Sequence, residues 1–355
     1  MTAVLHVQKV SGVSGSEAHL LSVLPELRAR GRDARMLVLH EGEPGATEFV
    51  ERLRARGVPV RTLRLRHDLD PVAFARLVRA IRTERPRIVH THLVHADLYA
   101  LPAARLAGVR VAVSSKHGFN AFRSSRGLAL ADRAVARLAA ANVAISRGLA
   151  EYLAATEGFD ADAFRIVHYG IEAGPEPPPP PEEPRLAAVG RLVPVKGLDV
   201  LLDAFAEARR SVPELSLEVA GEGPLRAGLE ARAGDGVSFL GRVAPAAPVY
   251  ERSLAVVVPS RGEGFGMVAL EAMERGRAVV ASRVGGLPEL VEDGVTGLLV
   301  PPGDAAALAA ALVELGADPA RARALGAAGR ERALAEFAAG KPAEALDRLY
   351  RELAP

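Results

Sequence analysis

The segment Pro259–Glu271, PSRGEGFGMVALE, carries two carboxylates at a spacing that sugar chemistry can use. Glu263 lies in a Gly-rich loop, and Glu271 follows eight residues later in an apolar run with helical character. Gly264 and Gly266 lack a Cβ, so the backbone there can come close to a ligand. A helix opening at this point would turn free N–H groups and its positive dipole end toward a phosphate or a sugar hydroxyl. A second pair of charges stands in GRLVPVKG, where Arg191 and Lys196 are five positions apart on the loop between a strand and a helix. Arg offers a planar fork and Lys a point charge, a combination suited to clamping a diphosphate. Lys196 is one of only four lysines among 45 basic residues, which sets it apart in an arginine-using chain. An isolated E-x7-E is common by chance and would read as a surface loop with a solvated Glu. The neighbouring glycines and the Arg191/Lys196 loop favour a site.

These segments resemble the E-x7-E and G-R-x4-K-G motifs of the retaining glycosyltransferases of family 4, which have the GT-B fold. The resemblance implies that Glu263 holds sugar hydroxyls and that Glu271 holds the ribose of a nucleotide. Gly264, Phe265, Gly266, Met267 and Val268 would line the donor. AGEGP at Ala220–Pro224 and VSFLGRV at Val237–Val243 resemble strand-end segments of the same family. The second would meet the nucleotide base near Arg242 and Val243. RVGGLPELVEDGVTGLLVPPGD, Arg283–Asp304, matches a pattern of turn glycines and prolines that is mostly architectural.

In the first half, SGVSGSEAHLL resembles the family's G-G-x-E loop, with Ser14 in place of the first glycine. Close approach to the donor phosphates then falls to Gly15. HTHLVH resembles the HTHxxHAD stretch of the acceptor side, and His117 in SSKHGFN stands where a family histidine approaches the donor sugar. The family's N-G-I-[DE] appears as YGIE at Tyr169–Glu172, without the asparagine, and no catalytic role is assigned to it. His90 and His92 alternate to one face, while His95 begins the next element and no carboxylate follows at ligand spacing. A metal centre is therefore not expected. No D-x-D motif is placed as a metal ligand, since Asp160–Asp162 precedes a linking strand.

Length and composition agree with two cytoplasmic-type domains. A chain of 355 residues that is 49% hydrophobic can bury two cores. No apolar run reaches the ~18 residues of a membrane span, and MTAVLHVQKV is not a secretory signal. Zero cysteines exclude disulfides and thiolate metal sites. The net charge of +2 hides an asymmetry, with a balance of +9 over residues 1–170 and −7 over residues 171–355. No nucleic-acid-binding signature accompanies the basic half, so nucleic acid is not an expected partner.

The elements that must carry these loops alternate along the chain. Strand candidates are AVLHVQ, ARMLVL, VRTLRL, RIVHTH, VRVAVSS, NVAIS and FRIVHY, then RLAAVG, LSLEVAG, VSFLG, LAVVVPS, RAVVAS and TGLLV. Helices fall between them, among them Glu17–Arg30, Pro71–Glu84, Leu198–Arg210 and Gly266–Arg275, with a last helix in KPAEALDRLYREL. This order predicts βα units and parallel sheets. EAGPEPPPPPEEPR marks an extended linker, because consecutive prolines fix φ and remove donors. The expected fold is α/β, a GT-B arrangement of two doubly wound Rossmann-like domains facing across a cleft. The boundaries are 1–171 for the acceptor-side domain, 172–185 for the linker, 186–338 for the donor-binding domain and 339–355 for a helix packing back on the first.

The function expected is transfer of a sugar from a nucleotide-diphosphate sugar, UDP before GDP, to a hydroxyl acceptor with retention of configuration. Lipid-linked and cell-envelope glycans are the acceptor classes considered. Arg191 and Lys196 would take the leaving-group charge, with Glu263 and His117 at the sugar, and no metal or other cofactor. The departing phosphate would accept the acceptor's proton, so no enzyme base is named. A GT-B nucleotide-sugar epimerase and a non-catalytic nucleotide-sugar-binding scaffold are the alternatives. From Arg52 to Arg87 the chain has eleven arginines and three acids, Asp68, Asp70 and Glu84. Arg76, Arg79 and Arg82 recur at i, i+3 on one helical face, with Val72, Leu77, Val78 and Ile81 expected toward the sheet. That basic face makes peripheral contact with an anionic membrane a further expectation.

Overall fold

A computed structural model describes residues 3–67, 70–118 and 126–355, so Asp68 lies outside the described residues. Within it the chain forms two compact units, Met1–Glu172 with Ala339–Pro355, and Ala173–Ala338.

The first unit is built on seven strands: β1 (Ala3–Lys9), β2 (Asp33–His40), β3 (Val60–Arg64), β4 (Ile88–His92), β5 (Val111–Lys116), β6 (Ala141–Ala144) and β7 (Phe164–Ile166). Their order in the sheet is β3-β2-β1-β4-β5-β6-β7, and every neighbouring pair is parallel. Parallel strands need crossovers, which the intervening helices supply on both faces. β4 is buried along its whole length for that reason. One face packs Leu20, Leu24, Leu27 and Phe49 over Val4 and Met36. The other packs Leu77, Ile81 and Ala100 over Leu5, Val7 and Val89.

The second unit has six strands: β8 (Arg185–Val189), β9 (Ser216–Ala220), β10 (Val237–Gly241), β11 (Ala255–Val258), β12 (Ala278–Ser282) and β13 (Leu298–Val300). They are ordered β10-β9-β8-β11-β12-β13, again all parallel. Its core runs from Leu186 and Leu217 through Phe205 to Val280 and Leu312.

Local rules explain the elements. Helix Pro71–Glu84 starts where the Asp70 carboxylate accepts from the Val72 and Ala73 N–H groups at 3.0 and 2.9 Å, with Pro71 at the first position. Leu77, Val78 and Ile81 turn inward, but Val72 is 47% exposed and does not. Val72 is four residues before Arg76 and seven before Arg79, so it shares the arginine face rather than the apolar one. The proline-rich segment lies on the second unit, where Gly174 N–H donates to Glu274 Oε1 at 2.9 Å and Arg330 pairs with Glu176 at 2.8 Å. The last helix, Gly340–Leu353, buries Ala343, Leu346, Leu349 and Tyr350 in the first unit.

Candidate active site

In a doubly wound sheet the connections leave opposite ways at the strand where the order reverses, and a crevice opens at the carboxyl ends there. In the second unit that point lies between β8 and β11. The loop after β8 carries Arg191 and Lys196, and the loop after β11 carries Glu263, so the fold brings the two motifs to one place. Gly197 sits at φ +65°, and a Cβ on it would lie 2.1 Å from the Pro259 carbonyl oxygen. Only glycine fits there without displacing backbone. Arg261 ties the same loops together, its N–H donating to the Val195 carbonyl at 2.8 Å and its guanidinium forking onto Asp199 at 2.7 and 2.6 Å. As a result Lys196 Nζ is 2.5 Å from Glu263 Oε2, with Ser260 Oγ 3.3 Å from the same oxygen. Both charged side chains keep some solvent access, 24% for Lys196 and 15% for Glu263.

Glu271 lies on the helix Met267–Glu274 that this loop opens. Its Oε2 accepts from the Tyr250 hydroxyl at 2.6 Å. Burial pushes its carboxyl above the usual carboxylate range; the Tyr250 hydrogen bond opposes the shift and Glu274 adds to it. Tyr250, itself 2% exposed, is a partner that the sequence reading did not name. Met267 and Val268 are half-buried at the helix start, and Gly264 and Gly266 are buried. Phe265 needs a correction. Its ring is 1% exposed and meets Phe337 edge-on at 5.7 Å. The side chain belongs to the core, because an aromatic ring flanked by glycines on a β-to-α turn gains most by burial, and only its backbone can face a donor. Arg191 and Arg242 are exposed and Val243 is half-buried. Arg191 makes no ion pair among the described residues.

Gly15 and His117 belong to the first unit. Gly15 opens the helix Gly15–Ala29, which Glu17 anchors by accepting from Ser14 N–H and Oγ at 3.0 and 2.6 Å. His117 follows β5, and both of its ring nitrogens are engaged. Nε2 is 2.9 Å from His92 Nδ1, and Nδ1 is 2.7 Å from the Tyr169 hydroxyl. The strand alternation does bring His90 and His92 to one face, and β1 adds His6, registered opposite His90. Ring nitrogens of His6, His90 and His92 come within 4.8 Å of one another, a grouping not legible without the β1–β4 pairing. Beneath His117, Lys116 is fully buried between Asp97 and Asp132, at 2.7 Å from each. Thus a second of the four lysines has a specific, structural use.

Comparison with known proteins follows the same division. Residues 13–174 match the Glycosyltransferase Family 4 pattern and residues 183–318 the pattern described as Glycosyl transferases group 1. The chain belongs to glycosyltransferase family 4. A GDP-mannose-dependent alpha-(1-6)-phosphatidylinositol monomannoside mannosyltransferase of Mycolicibacterium smegmatis is 35% identical over 82% of this chain and 83% of its own length. The alpha-maltose-1-phosphate synthase of the same organism is 33% identical, over 76% and 80%. Among solved structures, Anabaena HepE in complex with UDP and glucose superposes with a TM-score of 0.84 at 20% identity, over 99% of this chain and 100% of that one. That likeness shows the fold, and the protein is a GT-B glycosyltransferase.

Proposed function

We propose that this glycosyltransferase moves a hexosyl group from a nucleotide-diphosphate sugar to a hydroxyl acceptor with retention of configuration. The observation that carries the reading is the meeting of Lys196 and Glu263 at 2.5 Å beside the switch point of the second unit. An ammonium has three donors. One is used on Glu263 Oε2, which leaves others for a diphosphate and leaves Glu263 Oε1 for a sugar hydroxyl. As the glycosidic bond to the diphosphate breaks, negative charge collects on the leaving group while the sugar becomes oxocarbenium-like. Arg191, Lys196 and the N–H groups at the start of helix Met267–Glu274 would meet that charge already oriented, the kind of fixed electrostatics that lowers a barrier most. The leaving phosphate oxygen would take the acceptor's proton on the same face. Glu271, held by Tyr250, would hold the ribose, and Arg242 and Val243 would lie by the base. His117 is not proposed as a free base, since both its nitrogens have protein partners.

UDP-sugars stand first as donors and GDP-sugars second; the mannosyltransferase relative, named for GDP-mannose, makes GDP-mannose the first of the latter to try. The same relative's name includes a phosphatidylinositol mannoside, which favours a lipid-linked acceptor and gives the exposed Arg76, Arg79 and Arg82 an anionic surface to meet. The test is a thermal-shift screen of UDP- and GDP-sugars, followed by assay of free nucleoside diphosphate with and without hydroxyl acceptors. A donor that stabilises the protein and releases its diphosphate, with product of unchanged anomeric configuration, is the expected result. Inverted product would end the retaining reading, and binding without turnover would leave a scaffold.

A further inference from the structure

The mechanism above makes no use of a cluster of imidazoles in the first unit. His6 on β1, His92 on β4 and His117 after β5 form a continuous chain, buried at His6 and His92 and half-buried at His117. His6 Nδ1 is 2.9 Å from His92 Nε2, His92 Nδ1 is 2.9 Å from His117 Nε2, and His117 Nδ1 is 2.7 Å from the Tyr169 hydroxyl. Beyond His6, the Tyr350 hydroxyl is 3.5 Å from its Nε2, a long contact, and 2.6 Å from His90 Nδ1. His90 Nε2 in turn meets Ser115 Oγ at 2.7 Å. His6 and His92 are 0% and 1% exposed, and burial lowers the pKa of both imidazoles and of His117.

A neutral imidazole has one donor and one acceptor. Each link in this chain needs one proton, so an imidazole that donates toward Tyr169 must accept from the other side. If His117 carries its proton on Nδ1 and donates to Tyr169, its Nε2 must accept from His92 Nδ1–H. His92 Nε2 must then accept from His6 Nδ1–H. In the reverse arrangement Tyr169 donates to His117 Nδ1, and all three rings are protonated on Nε2. A mixed state sets two N–H groups or two lone pairs against each other in a buried site, where an unmade hydrogen bond costs about 1–3 kcal/mol. The three rings therefore have two permitted states and no mixed one.

We infer that Tyr169, His92 and His6 are positioning residues that lock the tautomer of His117 to that of the other two rings through this shared hydrogen-bonded chain. Tyr169 stands where the family resemblance leads one to expect asparagine, so the end of the chain is a feature of this sequence. His19 covers it, stacked on the Tyr169 ring at 4.6 Å. The metal alternative, a cation held by His6, His90 and His92, competes poorly. Those nitrogens already have protein partners, and no carboxylate of the described residues joins the group to offset a buried dication. The use of the lock in sugar transfer rests on the proposed function, whereas the lock itself does not.

The test is nitrogen-15 NMR of the intact protein with labelled histidine, because protonated and bare ring nitrogens resonate far apart, in the parent and in Tyr169→Phe. The phenylalanine keeps the ring and its packing. In the parent, His6, His92 and His117 should be neutral at pH 7 and show the same tautomer population. In Tyr169→Phe the partnerless Nδ1 of His117 is best left as a lone pair, so all three rings should be Nε2–H forms. Opposite tautomers on any two of the rings, Nδ1–H rings in the variant, or one equivalent of metal bound by the purified protein would each overturn the proposal. A tyrosine serving only as packing would leave His6, two links away from His117, indifferent to its hydroxyl. These readings need no donor or acceptor, so loss of the glycosyl-transfer reading would leave them intact.

Discussion

Lys196 and Glu263 neutralise each other at 2.5 Å, so neither is a loose surface charge, and removing either should expose what the other was doing. Lys196→Ala and Arg191→Ala are each expected to lower turnover about 100-fold, the size of one lost oriented donor to a developing charge. Steady-state kinetics on a folded variant checks this, and near-normal turnover would count against the clamp. Glu271 raises a different question. Its carboxyl is buried and shifted upward, so it is more easily protonated in the folded protein than in the unfolded chain. A group shifted this way costs stability above its folded pKa, and that cost fades as pH falls through it. Glu271→Gln keeps an acceptor for the Tyr250 hydroxyl and removes the buried charge. It should raise the melting temperature at pH 7 while weakening nucleotide binding about tenfold, the loss of one hydrogen bond to a charged group. A variant that melts lower and binds UDP or GDP normally would reverse both halves of the assignment.

At the scale of elements the site is a set of strand-end loops whose backbones touch. Gly285, at φ +54°, would place a Cβ 1.7 Å from the Glu263 carbonyl oxygen, so the loop after β12 packs directly against the Glu263 loop. Gly285→Ala must move that backbone. It is expected to destabilise the second unit by more than ~2 kcal/mol, since positive φ and a backbone overlap add, and to abolish transfer. Unfolding monitored separately for each unit, by hydrogen exchange, tests this, and an unchanged second unit would contradict it. Much of this layer was legible from sequence. The thirteen strand candidates coincide with the thirteen strands of the described residues to within a few residues at their ends, because strands buried on both faces read as short β-branched runs. The loops carrying Arg191, Lys196 and Glu263 were equally legible, since glycine and charge stand out locally. What escaped depends on pairing between distant strands. His6 joins His90 only through the β1–β4 register, Tyr250 reaches Glu271 from another helix, and Phe265 turns inward although its glycine neighbours suggest an exposed loop.

At the scale of the whole molecule the two units should answer pH in opposite senses. All nine histidines lie in residues 1–172. Burial holds His6 and His19 down to about 3, and it lowers His90, His92 and His117 as well. A histidine with a lowered folded pKa contributes stability in full above its unfolded value near 6.5, and that stability drains as pH falls toward the folded value. At pH 5 each of His6 and His19 has given up about 2 kcal/mol, at about 1.4 kcal/mol per pH unit, against a typical total of ~5–15 kcal/mol. The first unit should therefore lose stability as pH falls toward 5 while the second, relieved at Glu271, holds. Calorimetry from pH 7.5 to 5 should resolve two transitions, and a single one moving as a whole would refute the asymmetry. The charge of the first unit has a further consequence. Arg76, Arg79 and Arg82 are exposed along helix Pro71–Glu84 beside the exposed Val72. Arg82 continues into a cavity of about 600 Å³ that Arg85, Arg87 and Arg110 also line. No helix among the described residues is long and apolar enough to cross a membrane. At about 1 kcal/mol per arginine near an anionic leaflet, this face would suffice for reversible docking that salt reverses. Cosedimentation with phosphatidylglycerol vesicles is expected at low salt, lost at high salt, and weakened at least tenfold when Arg76, Arg79 and Arg82 become Gln. Binding that ignores those three changes would mean that the arginines serve only to keep an exposed helix in water.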